Sequence, residues 1–382
     1  MYRTIPAMLT EPAHGSANRF QDGRSPTPRW LSILFLLTCG GLSMTSSTAT
    51  AAEPDAKPAR ELTFLPLEDN GRCQTVLTVA ENEVAMPFRL PAEPFPYRSQ
   101  WEYDQARVRK YLITFPSPMK TEIEVNNTVH AEYFQPAGSE KKPAVVVLHI
   151  LGGDFLLSRT IANHLAQNGI AALFVKMPYY GPRRDPKSPR RMIAKDPYET
   201  VTGMTQAVLD IRRAAAWLQQ RPEVDSQRMG ITGISLGGIM STLGASAEPR
   251  FRNVGIVLGG GNFASFLWTA PLREAREFRE RWLQMGHTQA EFFEVLEKID
   301  PVTHGPRLHG RRMLMVLARN DEVIPPANGL ALWEALNKEP ELVWLNAGHY
   351  SAIYYLPREI VRLEQFFRRS TTGSCPADLP VK

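Results

Sequence analysis

From residue 121 onward the chain alternates between two apolar patterns. "AVVVLHI" (144–150) and "IAALFVKMP" (170–178) are continuous runs rich in β-branched residues, as strands buried on both faces of a sheet require. Between and after them, apolar positions recur every three or four residues. "LLSRTIANHLAQ" (156–167), closed by Gly169, predicts a helix. A longer one spans about 198–219, with Met204, Val208, Ile211, Ala215 and Leu218 along one face. The rhythm continues through the strand "RMGITGI" (228–234) and a helix of small residues after Ser235. It then runs through the strands "NVGIVLGG" (253–260) and "RMLMVLA" (312–318), a helix at about 327–337, the strand "ELVWLNA" (341–347) and a last helix in "REIVRLEQFFRR" (358–369). Strands alternating with helices imply right-handed crossovers and a mostly parallel sheet covered on both faces, an α/β fold. "TEIEV" and "HAEYFQP" ahead of it predict an antiparallel pair.

Two stretches depart from this rhythm. Residues 61–120 are rich in proline, as in "AMPFRLPAEPFPY", and show little periodicity beyond "QTVLTVA" and a helical spacing at 99–112. They read as an N-terminal extension packed on the main domain. The second departure is the roughly fifty-residue gap between the strands at 253–260 and 312–318, where 262–300 has a helical pattern around Leu272–Leu296. Long insertions in compact domains are more often functional than accidental. A lid over an active site is the favoured reading, and extra scaffold the other.

The N-terminus has a different character. A polar stretch with Arg24 and Arg29 near its end leads into "WLSILFLLTCGGLSM", then into small residues with Ala49-Thr50-Ala51. A basic flank, a short apolar run and an Ala-x-Ala site are the parts of an export signal. The run falls short of the ~20 residues of a membrane span. Residues 1–51 are therefore expected to direct export to the periplasm or the medium, with lipid attachment at Cys39 as the alternative. Removing them takes the net charge from +5 to +3. The expected organisation is a leader at 1–51, linker and extension at 52–120, an α/β domain at 121–370 and a tail at 371–382. Cys73 and Cys375 then remain, one near each end, and are candidates for a disulfide in an oxidising compartment.

Composition excludes several classes. With 382 residues, 43% hydrophobic and 22% charged, the chain has ample core for one enlarged domain or two. A net charge of +5 is too diffuse for a nucleic-acid footprint. No His/Cys/acid cluster has metal-ligand spacing, and no phosphate-loop or dinucleotide fingerprint occurs. No cofactor and no nucleic-acid partner are expected, and no stable membrane span.

The chemistry centres on "GISLGG". Gly-x-Ser-x-Gly alone arises by chance in roughly one chain in ten of this length, so the rest of the chain decides. A serine nucleophile needs a base, an acid to orient it, and donors for the oxyanion. A tight strand-to-helix turn exposes the serine, and Gly233 and Gly237 leave room for the backbone to close around Ser235. An acid and then a histidine should follow in the chain. Asp321, in "LMVLARNDEVIPP" at the end of a buried strand, is the expected acid, with Glu322 the neighbouring alternative. Asp300 precedes its strand and reads as structural. His349, in "NAGHYS", is the only histidine beyond Asp321. The oxyanion donors are expected to be the amides of Leu236 and of Leu151 in "HILGGD", with Ile150 the alternative to Leu151. His149 precedes the serine and reads as a structural turn residue. "PYYGPRRDPKSPRRMIAK" (178–195) carries six basic residues against one acid. It is either a solvated loop or a binding element in which Arg183 or Arg184 holds an anionic group, with Tyr179 and Tyr180 lining the pocket.

These residues resemble the α/β-hydrolase superfamily over about 121–370. "DIRRAAAWLQQRPEVDSQRMGITGISLGG" is similar to its dienelactone-hydrolase and acetyl-xylan-esterase branch, and "ARNDEVIPP" and "AGH" resemble the acid and histidine segments. "MPYYGPRRDP" with "GITGISLGG" resembles the group called α/β-hydrolase domain-containing protein eighteen. The resemblance implies an α/β-hydrolase fold and a serine hydrolase acting on a small or lipid-like carboxylic ester. A peptidase or amidase with the same triad, or a binding protein on this fold, is the alternative. One departure stands out: the superfamily often has His-Gly where this chain has His149-Ile150, which puts the second oxyanion donor in question.

Overall fold

The computed structural model describes residues 62–74, 81–153, 155–270 and 273–369. The expected leader, Cys39, Cys375, most of "QTVLTVA" and the C-terminal tail lie outside the described residues. The elements, in order, are β1 (Asn70–Cys73), β2 (Phe95–Gln105), β3 (Val108–Pro116), β4 (Thr128–Pro136), β5 (Lys142–Leu148), α1 (Leu156–Gln167), β6 (Ala171–Lys176), α2 (Pro197–Gln219), β7 (Val224–Ile234) and α3 (Leu236–Ala247). They continue with β8 (Asn253–Val257), α4 (Phe263–Thr269), α5 (Arg273–Gln284), α6 (Gln289–Glu297), α7 (Pro301–His304), β9 (Arg312–Ala318), α8 (Pro326–Ala335), β10 (Glu341–Leu345) and α9 (Leu356–Arg368).

Among the described residues one sheet contains every strand, in the order β1-β2-β3-β4-β6-β5-β7-β8-β9-β10. From β6 to β10 neighbouring strands are parallel, and β1 to β4 continue the sheet antiparallel. All seven residues of β5 are buried, and they divide by parity. Ala144, Val146 and Leu148 enter one core cluster, Val145 and Val147 the other. Successive strand residues point to opposite faces, so a strand with a core on each side must be apolar throughout. Apolar side chains of α2 and α3 cover the first face, and those of α1 and α9 the second. The path leaves β5 through α1 to β6, then returns through α2 to β7 on the other side of β5. Open α/β sheets form their ligand crevices where the strand order reverses in this way. Here that place is the C-terminal ends of β5 and β7.

Two local expectations are corrected. The helical spacing at 99–112 belongs to a hairpin of β2 and β3. Tyr111, Ile113 and Phe115 enter the first core at alternate positions, and β3 has a partner on each side; that pairing decides for the period of two. "TEIEV" forms no strand. Glu124–Asn127 is a single 3-10 turn, closed by Asn127, whose side chain accepts from the Thr121 amide (2.7 Å). The partners of β4 are β3 and β6.

The N-terminal extension therefore supplies three strands of the main sheet, and it also covers α2. Tyr97 packs edge-on against Trp217. Arg212, buried on α2, donates to the Phe88 carbonyl (2.7 Å) and the Glu81 carboxylate (2.6 Å). This explains why α2 is buried nearly all round from Gly203 to Leu218, more than an amphipathic surface helix would be. Cys73 is buried at the sheet edge, and burial pushes its thiol up to about 11. Among the described residues no helix is long and apolar enough to cross a membrane, and no group of three His, Cys, Asp or Glu is placed to hold a metal ion.

Candidate active site

β7 ends at Ile234 and α3 begins at Leu236, so Ser235 is the whole connection. Its backbone lies at φ 55°, ψ −117°, a conformation that costs an L-residue on the order of 1–3 kcal/mol. Two hydrogen bonds hold it there: the Ser235 amide donates to the Val257 carbonyl of β8 (2.8 Å), and its carbonyl accepts from Ile239 (3.0 Å). The flanking glycines are required by contact. A Cβ at Gly233 would stand 2.5 Å from the Gly237 carbonyl carbon, and one at Gly237 would stand 2.7 Å from the Leu148 oxygen. The first turn of α3 thus sits directly on the end of β5.

Asp321 and His349 follow β9 and β10, so both arrive at the same edge of the sheet as Ser235. Nε2 of His349 is 3.0 Å from the Ser235 Oγ, and its Nδ1 is 2.8 and 3.0 Å from the two Asp321 oxygens. Asp321 is itself fixed, because Oδ1 accepts from the amides of Val323 (2.9 Å) and Ile324 (2.7 Å). Glu322 has another place: its carboxylate accepts the His349 backbone N–H (2.8 Å). With Asp321 on Nδ1, that nitrogen carries the imidazole proton and Nε2 is left as an acceptor for the serine hydroxyl.

The loop after β5 is pinned from two sides. His149 is fully buried, and its Nε2 accepts from the Met177 amide (3.0 Å). The proton is therefore on Nδ1, which donates to the Ile150 carbonyl (2.8 Å). Burial holds the imidazole down to about 4, so it is neutral at pH 7. In a trans peptide the N–H lies opposite the C=O, so the Leu151 amide is turned away from His149. Beyond it the Tyr180 ring lies against Gly153, and burial raises that phenol to about 12. Ile150 needs no glycine, since the positive φ angles fall on Gly152 (93°) and Gly153 (75°). The departure from His-Gly thus leaves the loop's backbone unstrained.

Comparison with known proteins gives the same architecture a wider setting. The family profile described as "Alpha/beta hydrolase domain containing 18" matches residues 83–260, and the prolyl oligopeptidase family profile matches 204–368. The fold is an α/β-hydrolase fold. Two solved structures superpose on this chain with a TM-score of 0.56. One is acetyl xylan esterase 1 from Thermoanaerobacterium sp. JW/SL YS485, 19% identical over 71% of this chain and 86% of that one. The other is an acetyl xylan esterase from Paenibacillus sp. R4, 20% identical over 70% and 88%. At that identity the likeness is one of fold. Uncharacterized proteins of Mycobacterium tuberculosis strains CDC 1551 and H37Rv are 26% identical over 190 residues, 47% of this chain and 42% of theirs. The chain thus spans under half the length of these curated relatives.

The residues of 178–195 take places that the sequence does not foretell. Arg183 is fully buried: it pairs with Asp210 (2.8 Å) and donates to the Asn126 carbonyl, so no substrate reaches it. Arg184 is exposed. Tyr180 packs against the loop after β5, edge-on to His149. Tyr179, at φ 65°, does line a cleft, and Arg190 lies over its ring at 4.7 Å. The insertion is gathered at its neck by Asp300, whose carboxylate accepts from the amides of Asn262 (2.8 Å), Phe263 (2.5 Å) and Val302 (2.9 Å). Trp282 of α5 packs against Tyr198 at the start of α2, which brings the insertion over the 178–197 loop. The roles of Glu322, Tyr180 and Asp210 depend on partners 27 or more residues away, and no local motif announces them.

Proposed function

We propose that this chain is a serine hydrolase that cleaves carboxylic esters, with Ser235 as nucleophile, His349 as general base and Asp321 as the acid that orients it. The observation that carries this reading is the run of hydrogen bonds from Asp321 through His349 to a serine held at positive φ. Ser235 Oγ attacks the acyl carbon while Nε2 of His349 takes its proton, and the Asp321 carboxylate stabilises the imidazolium. The oxyanion is held by the amide of Leu236 and that of Leu151. The first is an N1 position of α3, where the N–H has no acceptor within the helix and the helix dipole favours negative charge. The second belongs to the peptide whose carbonyl, that of Ile150, accepts from His149, so its N–H points away from that ring. His349 then protonates the leaving alcohol, and water repeats the sequence on the acyl-enzyme.

The match of residues 204–368 to the prolyl oligopeptidase family favours a second reading, in which the same groups cleave a peptide bond. Labelling by a fluorophosphonate probe tests the shared chemistry: the wild type is expected to label and Ser235→Ala to stay blank. Labelling that persists in Ser235→Ala would overturn the assignment. Acyl esters and peptide anilides offered side by side then separate the two readings, with esters expected to turn over at least tenfold faster.

A further inference from the structure

A cleft of about 1050 Å3 opens between α5 on one wall and residues 120–123 and 188–199 on the other. Ser235, Asp321 and His349 do not line it. The link is a pair of consecutive tyrosines. Tyr180 packs on Gly153 of the loop after β5, and Tyr179 lines the cleft. The cleft's lining is thus continuous in the chain with a residue that packs on the loop carrying the Leu151 amide.

The lining has two characters. Ile123, Tyr179, Phe278, Trp282 and Met285 supply apolar surface. Lys120, Arg190, Arg191, Lys195 and Arg281 supply positive charge, against Glu122, Asp196 and Glu199. The acids are partly committed. Glu199 pairs with Arg190 (3.3 Å), and Asp196 caps α2 by accepting from the Tyr198 amide (2.8 Å). Arg191 reaches only carbonyl oxygens, those of Ser188 (3.0 Å) and Arg190 (2.8 Å). Among the described residues, none of Lys120, Arg191, Lys195 and Arg281 makes an ion pair. A cleft with an apolar floor and unpaired cations around it fits an anion on an apolar stem better than a neutral chain or a sugar.

We propose that this cleft takes an anionic group, a carboxylate or a phosphate, joined through a short apolar stem to the ester that the site cleaves. The proposal rests on the serine-hydrolase reading and narrows its substrate class to amphiphilic anions. Arg191, Lys195 and Arg281 are the residues that set the preference; Arg183 and Arg184 take no part.

Binding to the full-length Ser235→Ala protein tests this without turnover, with hexanoate, hexyl phosphate and hexanol as probes. Each half-exposed ion pair is worth roughly two- to fivefold, so an anion meeting two or three cations should bind about tenfold tighter than hexanol. That margin should shrink as salt rises from 0.05 to 0.5 M. Adding Arg191→Gln and Lys195→Gln should remove most of it. Arg281→Gln, on the opposite wall, gives the same test if the double variant fails to fold. Tighter binding of hexanoate points to a carboxylate substrate and of hexyl phosphate to a phosphate one. Hexanol binding as tightly as both anions, or anion binding untouched by the substitutions, overturns the proposal. Fluorophosphonate labelling keeps the two readings apart. Labelling at Ser235 without any anion preference refutes the cleft assignment alone, and anion preference without labelling at Ser235 refutes the hydrolase reading.

Discussion

Asp321→Asn is the sharpest perturbation of the proposed mechanism, because it changes one proton's worth of chemistry in a fixed frame. Oδ1 of Asp321 accepts from two backbone amides, at 2.9 and 2.7 Å, so an asparagine keeps its oxygen there. Its Nδ2 then faces His349 Nδ1, where a carboxylate oxygen stood at 2.8 Å. Two donors cannot share that contact, so the imidazole proton moves to Nε2. At 3.0 Å from Ser235 Oγ, Nε2 becomes a donor and the base is lost. The expected loss in kcat is about 10⁴, or about 5.5 kcal/mol at 1.36 kcal/mol per decade, with KM within about threefold. Glu322→Gln is the matched control: it keeps a side-chain oxygen for the His349 backbone N–H and should stay within about tenfold of wild type. Steady-state kinetics on a turned-over ester, with thermal melts to confirm folding, decide the matter. An Asp321→Asn protein retaining a tenth of wild-type kcat, or a larger loss in Glu322→Gln, would refute Asp321 as the acid.

Two further outcomes follow from the same geometry. Tyr180→Ala removes the ring that packs on Gly153 and His149; losing about 1 kcal/mol of support for the loop should lower kcat about fivefold while KM holds, and an unchanged kcat would free the loop from this residue. Stability should also weaken on mild acidification. Burial holds His149 at about 4, and burial followed by the charges of Lys176 and Arg183 holds His130 at about 4. Both folded values lie below the ordinary histidine value, so the unfolded chain binds more protons and stability is complete above about pH 6.5 and declines toward pH 4. For the fully buried His149 the loss is on the order of 3 kcal/mol. A second loss, between about pH 4.5 and 2, belongs to Glu132. Its burial alone would raise it, but Arg159, Lys176 and Lys110 bring it down to about 2. Urea midpoints at pH 7, 5.5 and 4.5 read the first loss, and a flat series would contradict it.

The parts of this protein legible in the chain are those whose cause is local. Val145 and Val146 lie in opposite cores, and a run with no polar side announces exactly that environment in β5, β6 and β9. Ser235 was legible because the demands on it are local too: a strand before it, small residues around it, and an acid and histidine that must follow in order. β2 and β3 were not. Their apolar positions fit a helical spacing, and only pairing with β1 and β4 selects a period of two. Arg183 marks the same boundary among charges. Nothing in "PYYGPRRDP" distinguishes it from Arg184, yet a buried Asp210 on α2 claims one and leaves the other in solvent.

Ile150 carries the argument furthest. A glycine at this position supplies freedom to the loop after β5, and its absence suggests a defective oxyanion site only if the loop bends there. In this chain the bend falls two residues later, on Gly152 and Gly153. The peptide after Ile150 is oriented instead by a buried imidazole, and the Tyr180 ring packs against Gly153 beyond it. Freedom at one residue has been exchanged for constraint from two side chains, in the loops after β5 and β6, whose ring centroids lie 4.7 Å apart. A loop held this way keeps its amide direction without cost at the moment of reaction, which is the condition for an oxyanion donor to contribute to the rate. In the proposed mechanism His149, which reads in the sequence as a bystander ahead of the serine, acts on the chemistry through the backbone it holds.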